Sequence, residues 1–303
     1  MRSKALGYAA LLLLAFAAPY VVYPVFLMKA LCFALFACAF NLLLGFTGLL
    51  SFGHAMFFGT GAYVAGHCIK AMGFPPELGI LTGTLAAAAL GYLAGSLAIR
   101  RQGIYFAMVT LALSQMVYFF YLQASFTGGE DGLQGVPRGR LFGLFDLSHS
   151  LTMYYFVLAV FVFGFWLIYR TIHSPFGQIL KSIRENEPRA ISLGYDVDKY
   201  KLLAFVISAA LSGLAGATKT LALQLASLTD VTWQASGEVV LMTLLGGLGT
   251  VFGPVAGAFI VQALENYLAG AGSWVSVIMG VIFVVCVLLF RRGIVGEIQR
   301  AWK

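Results

Sequence analysis

The chain is poor in charge. Only 10% of its 303 residues are Asp, Glu, Lys or Arg, and 60% are hydrophobic. A soluble domain carries about 25% charged residues. With a mean hydropathy of +0.90, a soluble globular protein is excluded and a polytopic membrane protein remains. Acids are scarcer than bases, 12 against 19, for a formal net charge of +7. No basic stripe with interleaved aromatics accompanies that excess, so no nucleic-acid partner is expected. Basic residues collecting in cytoplasmic loops account for it. Cysteines number four, at positions 32, 38, 68 and 286, all inside apolar runs. None forms a CxxC or Cys/His spacing, so they read as small buried hydrophobes and no metal is expected. No GxxxxGK[ST] loop occurs, so this chain is expected to hold no nucleotide and no other cofactor. Alternation with period 2 is lacking too, which speaks against a barrel.

Long runs without Asp, Glu, Lys or Arg are plentiful. They cover 5–28, 30–69, 78–99, 102–129, 147–169, 202–218, 239–264 and 266–290. About 20 apolar residues cross a bilayer as a helix, and only helices satisfy their own backbone there. The second run is long enough for two passes. The expected fold is an all-α membrane bundle of about eight to ten segments, one permease domain over 1–303. Residues 5–28 read as an uncleaved first span, since the apolar run continues past the small-residue site at Ala15 and Ala17.

Basic residues give the orientation. Arg170, Lys181, Arg184, Arg189, Lys199 and Lys201 crowd the stretch 170–201, so the loop over 172–201 reads as cytoplasmic. The loop over 123–150 carries Arg138 and Arg140 against Glu130, Asp131 and Asp146, and reads as external. Both termini, including a tail over 291–303, are expected on the cytoplasmic side of the cell inner membrane. That requires an even number of crossings. A single helix over 238–264 would break the parity. Its five glycines and one proline in LLGGLGTVFGPVAGAF suit two half-helices joined by irregular backbone. Residues 45–66 have the same Gly-interrupted texture. One such segment in each half suggests two repeats around a substrate path.

The segment 181–196 is the most charged part of the chain. Phe176, Ile179, Leu180 and Ile183 follow i, i+3, i+4, i+7 spacing, which predicts an amphipathic helix. Asn186, Glu187 and Pro188 interrupt it; Pro188 suits the first turn of a second short helix and Gly194 its end. A solvated connector and a docking element both remain open. Alternating Arg184, Glu185, Glu187 and Arg189 favour protein over lipid contact.

Other candidates are polar residues within apolar runs. Ser51 and His54 stand three apart, but no acid follows to orient the His, so helix–helix hydrogen bonding or a substrate path outranks catalysis. Asn41 and Tyr63 read the same way. Thr110 and Ser114 share a helix face beside Gln115 and have the same two readings. Lys29, Lys219, Glu238 and Glu265 lie near span ends, where snorkelling to the interface is expected. No carboxylate falls at mid-membrane, which disfavours a proton-coupled secondary carrier.

Five stretches share a further pattern: NLLLGFTGLLSFGHAMFFGTGAYVAG, TGGEDGLQGVP, SPFGQILKSIRENEPRAISLGYDVDKYK, GGLGTVFGPVAGA and LFRRGIVG. In order and spacing they resemble the permeases of branched-chain amino acid ABC importers, and the long external loop resembles the M-type of the two sister permeases. The resemblance implies Leu, Ile or Val as cargo, with urea and short amides as the neighbouring class. It implies a homologous sister permease, two cytoplasmic ATPases and an external substrate-binding protein. It would place Lys181, Arg184, Glu185, Asn186, Glu187, Pro188, Arg189 and Gly194 at the ATPase, and Glu130 and Asp131 at the binding protein.

Overall fold

The computed structural model describes residues 14–141, 143, 145–268, 270, 274–289 and 293–301. The apolar runs fold into helices: α1 (Pro24–Thr47), α2 (His54–Lys70), α3 (Pro76–Ala98), α4 (Ile104–Gln123) and α5 (Ser150–Ile172). Two short helices follow, α6 (Pro175–Glu185) and α7 (Glu187–Ser192). The second half is α8 (Val197–Leu223), α9 (Trp233–Gly246), α10 (Gly253–Leu268), α11 (Trp274–Leu289) and α12 (Ile294–Ala301). Helices α1, α3, α4, α5 and α8 are each 20 residues or longer and apolar enough to cross a membrane. At ~1.5 Å per residue, that length matches the ~30 Å hydrocarbon core. The chain is a polytopic helical bundle.

Two expectations are corrected. Residues 5–28 do not form one span: a helical turn at 14–17 passes into a 3₁₀ turn at Ala18–Tyr20, and α1 begins afresh at Pro24. Pro19 and Pro24 lack the N–H that a continuous helix needs, and Pro24 suits a first turn. Residues 1–13, with Arg2 and Lys4, lie outside the described residues, as do Arg291, Arg292 and Lys303. The charge-free run 202–218 understates α8, which continues through Lys219 to Leu223.

Helix α1 is the central post: 89% of its most apolar stretch is buried, against 33–39% for α3, α4 and α5, which therefore form the periphery. Its Phe36 stacks on Phe58 of α2 at 4.6 Å. Small residues draw α2, α3 and α8 together. A Cβ on Gly61 would strike the Gly213 carbonyl, one on Gly83 the Gly61 carbonyl, and one on Gly216 the Phe58 carbonyl. Without a hydrophobic drive between helices in lipid, such close approach supplies the packing.

The 238–264 region breaks as expected, into α9 and α10 around 247–252. Long helix, break and short helix occur twice, as α1–α2 and α8–α9. The breaks within these pairs are 48–53 and 224–232, so the Gly-rich 247–252 is not the counterpart of 48–53. The 247–252 break instead meets the end of α1, just before the 48–53 break, beside α6. At the opposite end, the 124–149 loop is pinned down. Its β1 (Leu133–Gln134) pairs antiparallel with β4 (Leu225–Ala226), and β2 (Arg140–Leu141) with β3 (Phe145–Asp146). Arg138 Nη2 donates to the Ala222 carbonyl at 2.7 Å, and Lys70 Nζ to that of Gln134 at 2.7 Å.

Candidate functional site

Local sequence builds the α6–α7 element. Ser174 caps α6, accepting the Gly177 N–H, with Pro175 in the first turn. Leu180 and Ile183 are buried beneath it. The Asn186 side chain accepts the Arg189 N–H at 3.1 Å and so starts α7, with Pro188 in its first turn. Gly194, at φ 86°, turns the chain out of α7, as a left-handed C′ position requires. Asp196 then caps α8; hydrogen bonds from the Lys199 side chain and backbone hold its carboxyl below the usual range.

The charged residues of this element face two ways. Arg184 Nη1 donates to the Gly45 carbonyl of α1, and its Cγ lies 3.1 Å from where a Cβ on Gly48 would stand. Lys181 Nζ sits 5.8 Å from the Phe46 ring centroid. Glu187 accepts from Lys201 Nζ at 2.7 Å and from Gln102 Nε2 at 3.2 Å. Arg184, Glu187, Lys201 and Gln102 line a cavity of about 210 Å³ with Thr47, Leu49 and Gly103. Glu185, Pro188 and Arg189 are exposed, together with Ile191 and Leu193, at 57% and 68%. One face of the element therefore grips the bundle and the other presents mixed charge and apolar surface.

One turn before Gly45, Asn41 Nδ2 donates to the Thr250 carbonyl at 2.9 Å, and its Oδ1 accepts the Gly249 N–H at 3.1 Å. Asn41 thus closes the exposed backbone of the 247–252 break. Arg184 Nη1 is 3.3 Å from where a Cβ on Gly249 would stand. The end of α1, the 247–252 break and α6 meet at this junction. Sequence reasoning missed Gly45, Gln102 and Lys201 as members of it; Lys201 was legible only as part of a basic count. Lys201 is 3% exposed, so Glu187→Ala leaves its ammonium buried without a carboxylate. We expect a loss of about 2 kcal/mol, discounted from the 3–5 of a fully buried pair because Glu187 is partly open. Thermal unfolding in detergent measures it.

The 48–53 break ends deep in the bundle, where α2 begins. An N-terminus there leaves N–H groups that lipid cannot satisfy. Thr110 of α4 accepts the Phe52 N–H at 3.2 Å, Ser51 that of Gly53 at 3.2 Å, and Ser236 of α9 that of Ala55 at 2.9 Å. The His54 ring bonds Ser208 Oγ at 2.9 Å, and Ser208 Oγ donates to the Ala39 carbonyl at 2.6 Å. Nε2 is therefore the donor, and the acceptor Nδ1 has no protein partner. Phe40, Phe57 and Phe205 box the ring edge-on at 5.0–5.8 Å. Thr110 and Ser114 share the buried face of α4; Ser114 is buried without a partner, and Gln115 is half-buried beside it. Tyr63 lies further toward the loop end, stacked on Tyr121 at 4.8 Å. Ser208 and Ser236 were not singled out from sequence, because a lone Ser in an apolar helix carries no spacing signal.

Charged groups gather at the loop end. Lys29 pairs with Glu265 at 3.4 Å, and Gln262 donates to the same carboxylate at 2.8 Å. Lys219 does not snorkel: it is 6% exposed and ion-paired with Asp230, which is 5% exposed. Glu130 and Asp131 lie exposed on a 3₁₀ turn of the loop. Among the described residues no group of three His, Cys, Asp or Glu is placed to hold a metal.

Comparison with known proteins agrees with this architecture. Residues 24–287 match the family model described as branched-chain amino acid transport system / permease component. The high-affinity branched-chain amino acid transport system permease protein LivM of Escherichia coli is 29% identical over 279 residues, covering 84% of this chain and 65% of that protein. LivM of Salmonella typhimurium is 27% identical over 277 residues with the same coverage. The ribose import permease protein RbsC of Bacillus subtilis is 30% identical over 173 residues, 54% of this chain and 51% of that protein. The chain thus spans less than two thirds of the length of either LivM. No solved structure matches it. A matched core that runs from the first residue of α1 almost to the end of α11 leaves one conclusion: the chain belongs to the family of branched-chain amino acid transport permease components.

Proposed function

We propose that the chain is a membrane-spanning subunit of an ATP-driven importer for Leu, Ile or Val, and that α6–α7 receives the stroke of separate ATPase subunits. The observation that carries this reading is the bond from Arg184 to the Gly45 carbonyl. It ties the most charged element of the chain to the end of the central helix α1. There Asn41 in turn holds the break between α9 and α10. A displacement of α6 is thereby delivered to the two broken segments, whose irregular backbone can rearrange without losing a whole helix.

In this reading the α6–α7 end is cytoplasmic, in keeping with its excess of basic residues, and both termini lie on that side of the cell inner membrane. One of two ATPases docks on Glu185, Arg189, Ile191 and Leu193. A sister permease completes the pore. An external binding protein delivers cargo to the loop carrying Glu130 and Asp131. The names of the LivM relatives support branched-chain cargo. The ribose permease among the relatives supports a second reading, another small polar solute such as a sugar, urea or a short amide.

The test is uptake of radiolabelled L-leucine by a host stripped of its own importers and expressing this chain with its native partner genes. Leucine uptake is expected to stop on ATP depletion and to persist when the proton gradient is dissipated, with no competition from ribose or urea. Uptake that follows the proton gradient and survives ATP depletion overturns the reading in favour of a secondary carrier. Import of ribose or urea without leucine establishes the second reading.

A further inference from the structure

The Lys219–Asp230 pair is the most deeply buried ion pair among the described residues, with side chains 7% and 6% exposed. Removing two charges from water costs several kcal/mol per ion, and well-packed apolar residues of similar size often stabilise a protein as well or better. Stability therefore gives no reason for the pair. Ionisable groups in a membrane interior more often mark a path for polar cargo.

Further polar and aromatic groups surround the pair. Phe33 and Phe58 line the ammonium, with centroids 6.0 and 5.9 Å away. Tyr63 is 1% exposed, its hydroxyl has no partner, and it lies within electrostatic reach of Asp230. An unpartnered buried hydroxyl is costly unless something else uses it. Lys219, Ser212 and Ser208 stand on one face of α8, at i, i+4 and i+11 spacing. All three are buried, and Ser208 meets His54, whose Nδ1 is free of protein partners. A line of polar groups thus descends from the ion pair to the break at 48–53. Above the pair, β1 and β4 and the bond from the Val136 N–H to the Gln224 carbonyl strap the loop over the end of α8.

We infer that Lys219 and Asp230 form a transit site for a zwitterionic α-amino acid, whose carboxylate and ammonium replace each partner for the other. The inference rests on the importer reading above. A zwitterion carries both charges a few bonds apart. Inserted between the two side chains, it gives Lys219 a carboxylate and Asp230 an ammonium, so no charge is left uncompensated at any stage. The Tyr63 hydroxyl is the further hydrogen-bond group that the incoming polar head meets. A neutral sugar, urea or amide offers neither charge and leaves the pair closed. Glu238 on α9 also lies within electrostatic reach of both residues.

The test uses the same uptake system with two variants. Lys219→Met with Asp230→Asn removes both charges and nearly keeps the volume, and the Asn oxygen can still accept the Ser227 N–H. Leucine uptake is expected to fall at least about tenfold, the equivalent of one charge-assisted hydrogen bond. Membrane level, thermal midpoint and stimulation of ATP hydrolysis by the loaded binding protein are expected to hold. Tyr63→Phe removes one hydroxyl and is expected to lower the maximal rate about threefold without loss of stability. Wild-type uptake in the double variant overturns the inference and leaves the importer standing. So does parallel loss of uptake and ATPase stimulation, which assigns the pair to the scaffold. Should the double variant fail to reach the membrane, an unaltered rate in Tyr63→Phe overturns the inference alone. Absence of any amino acid uptake by the unaltered chain overturns the importer reading, and the inference with it.

Discussion

Arg184→Glu is expected to reduce uptake about a hundredfold or more while the protein still reaches the membrane. Arg184 contributes a charged hydrogen bond to a backbone carbonyl, worth about 1.5–3 kcal/mol. A glutamate at 184 cannot donate, and sets a carboxylate against the carbonyl oxygen it should bind. Helix α6 then loses its tie to α1, although Leu180 and Ile183 keep it on the bundle. The effect is on transmission and not on folding. ATP hydrolysis is therefore expected to continue without transport, a split that a merely destabilised protein would not show. Arg184→Lys, which keeps the charge but not the planar reach, is expected to restore part of the rate. Normal uptake by Arg184→Glu would remove the Arg184–Gly45 bond from the mechanism.

Gly216→Leu is expected to abolish accumulation in the membrane altogether. Its Cβ would overlap the Phe58 carbonyl of α2, and backbone cannot move aside as a side-chain tip does. Ordinary overpacking costs about 1–3 kcal/mol. Here two helices must separate, and the Gly61–Gly213 approach a turn away opens with them. Gly280, with nothing within 4 Å of the site of a Cβ, is the control: Gly280→Ala is expected to accumulate normally. Quantitative immunoblotting of membrane fractions decides between them. Equal levels of both variants would mean that the small-residue seam does not hold α2 to α8.

These two positions show what the sequence discloses and what it hides. Helix α6 was legible because apolar spacing and the punctuation at Asn186, Pro188 and Gly194 act locally; the Ser174 cap was added by the structure. The break at 247–252 was legible from glycine density and from the parity of charged loops. What Arg184 binds was not legible, because its partner is a backbone carbonyl 139 residues away. Such a contact leaves no residue-type signature. Lys219 looked like an interface residue since Asp230, eleven positions on, lies beyond the end of the apolar run. Only the return of the chain through the turn at Leu228–Val231 brings that carboxylate back inside. Residues 5–28 looked continuous because hydropathy does not register the missing N–H groups of Pro19 and Pro24. The partners of His54 and of the α2 N-terminus were hidden for a related reason. Ser208 becomes the partner of His54, and Ser236 a cap of α2, only once α8 and α9 are folded against the break.

The central claim is that α6–α7 is the surface through which an ATPase moves this bundle. The most direct measurement places a photo-crosslinking amino acid at position 189, on the exposed face of α7, in the tagged chain in its own membranes. Crosslinked species are then identified by mass spectrometry. The account predicts a Walker-motif ATPase at position 189, with a second permease co-purifying. A chain recovered alone under mild detergent, with no ATPase joined at 189, would contradict it and return 181–196 to a surface connector.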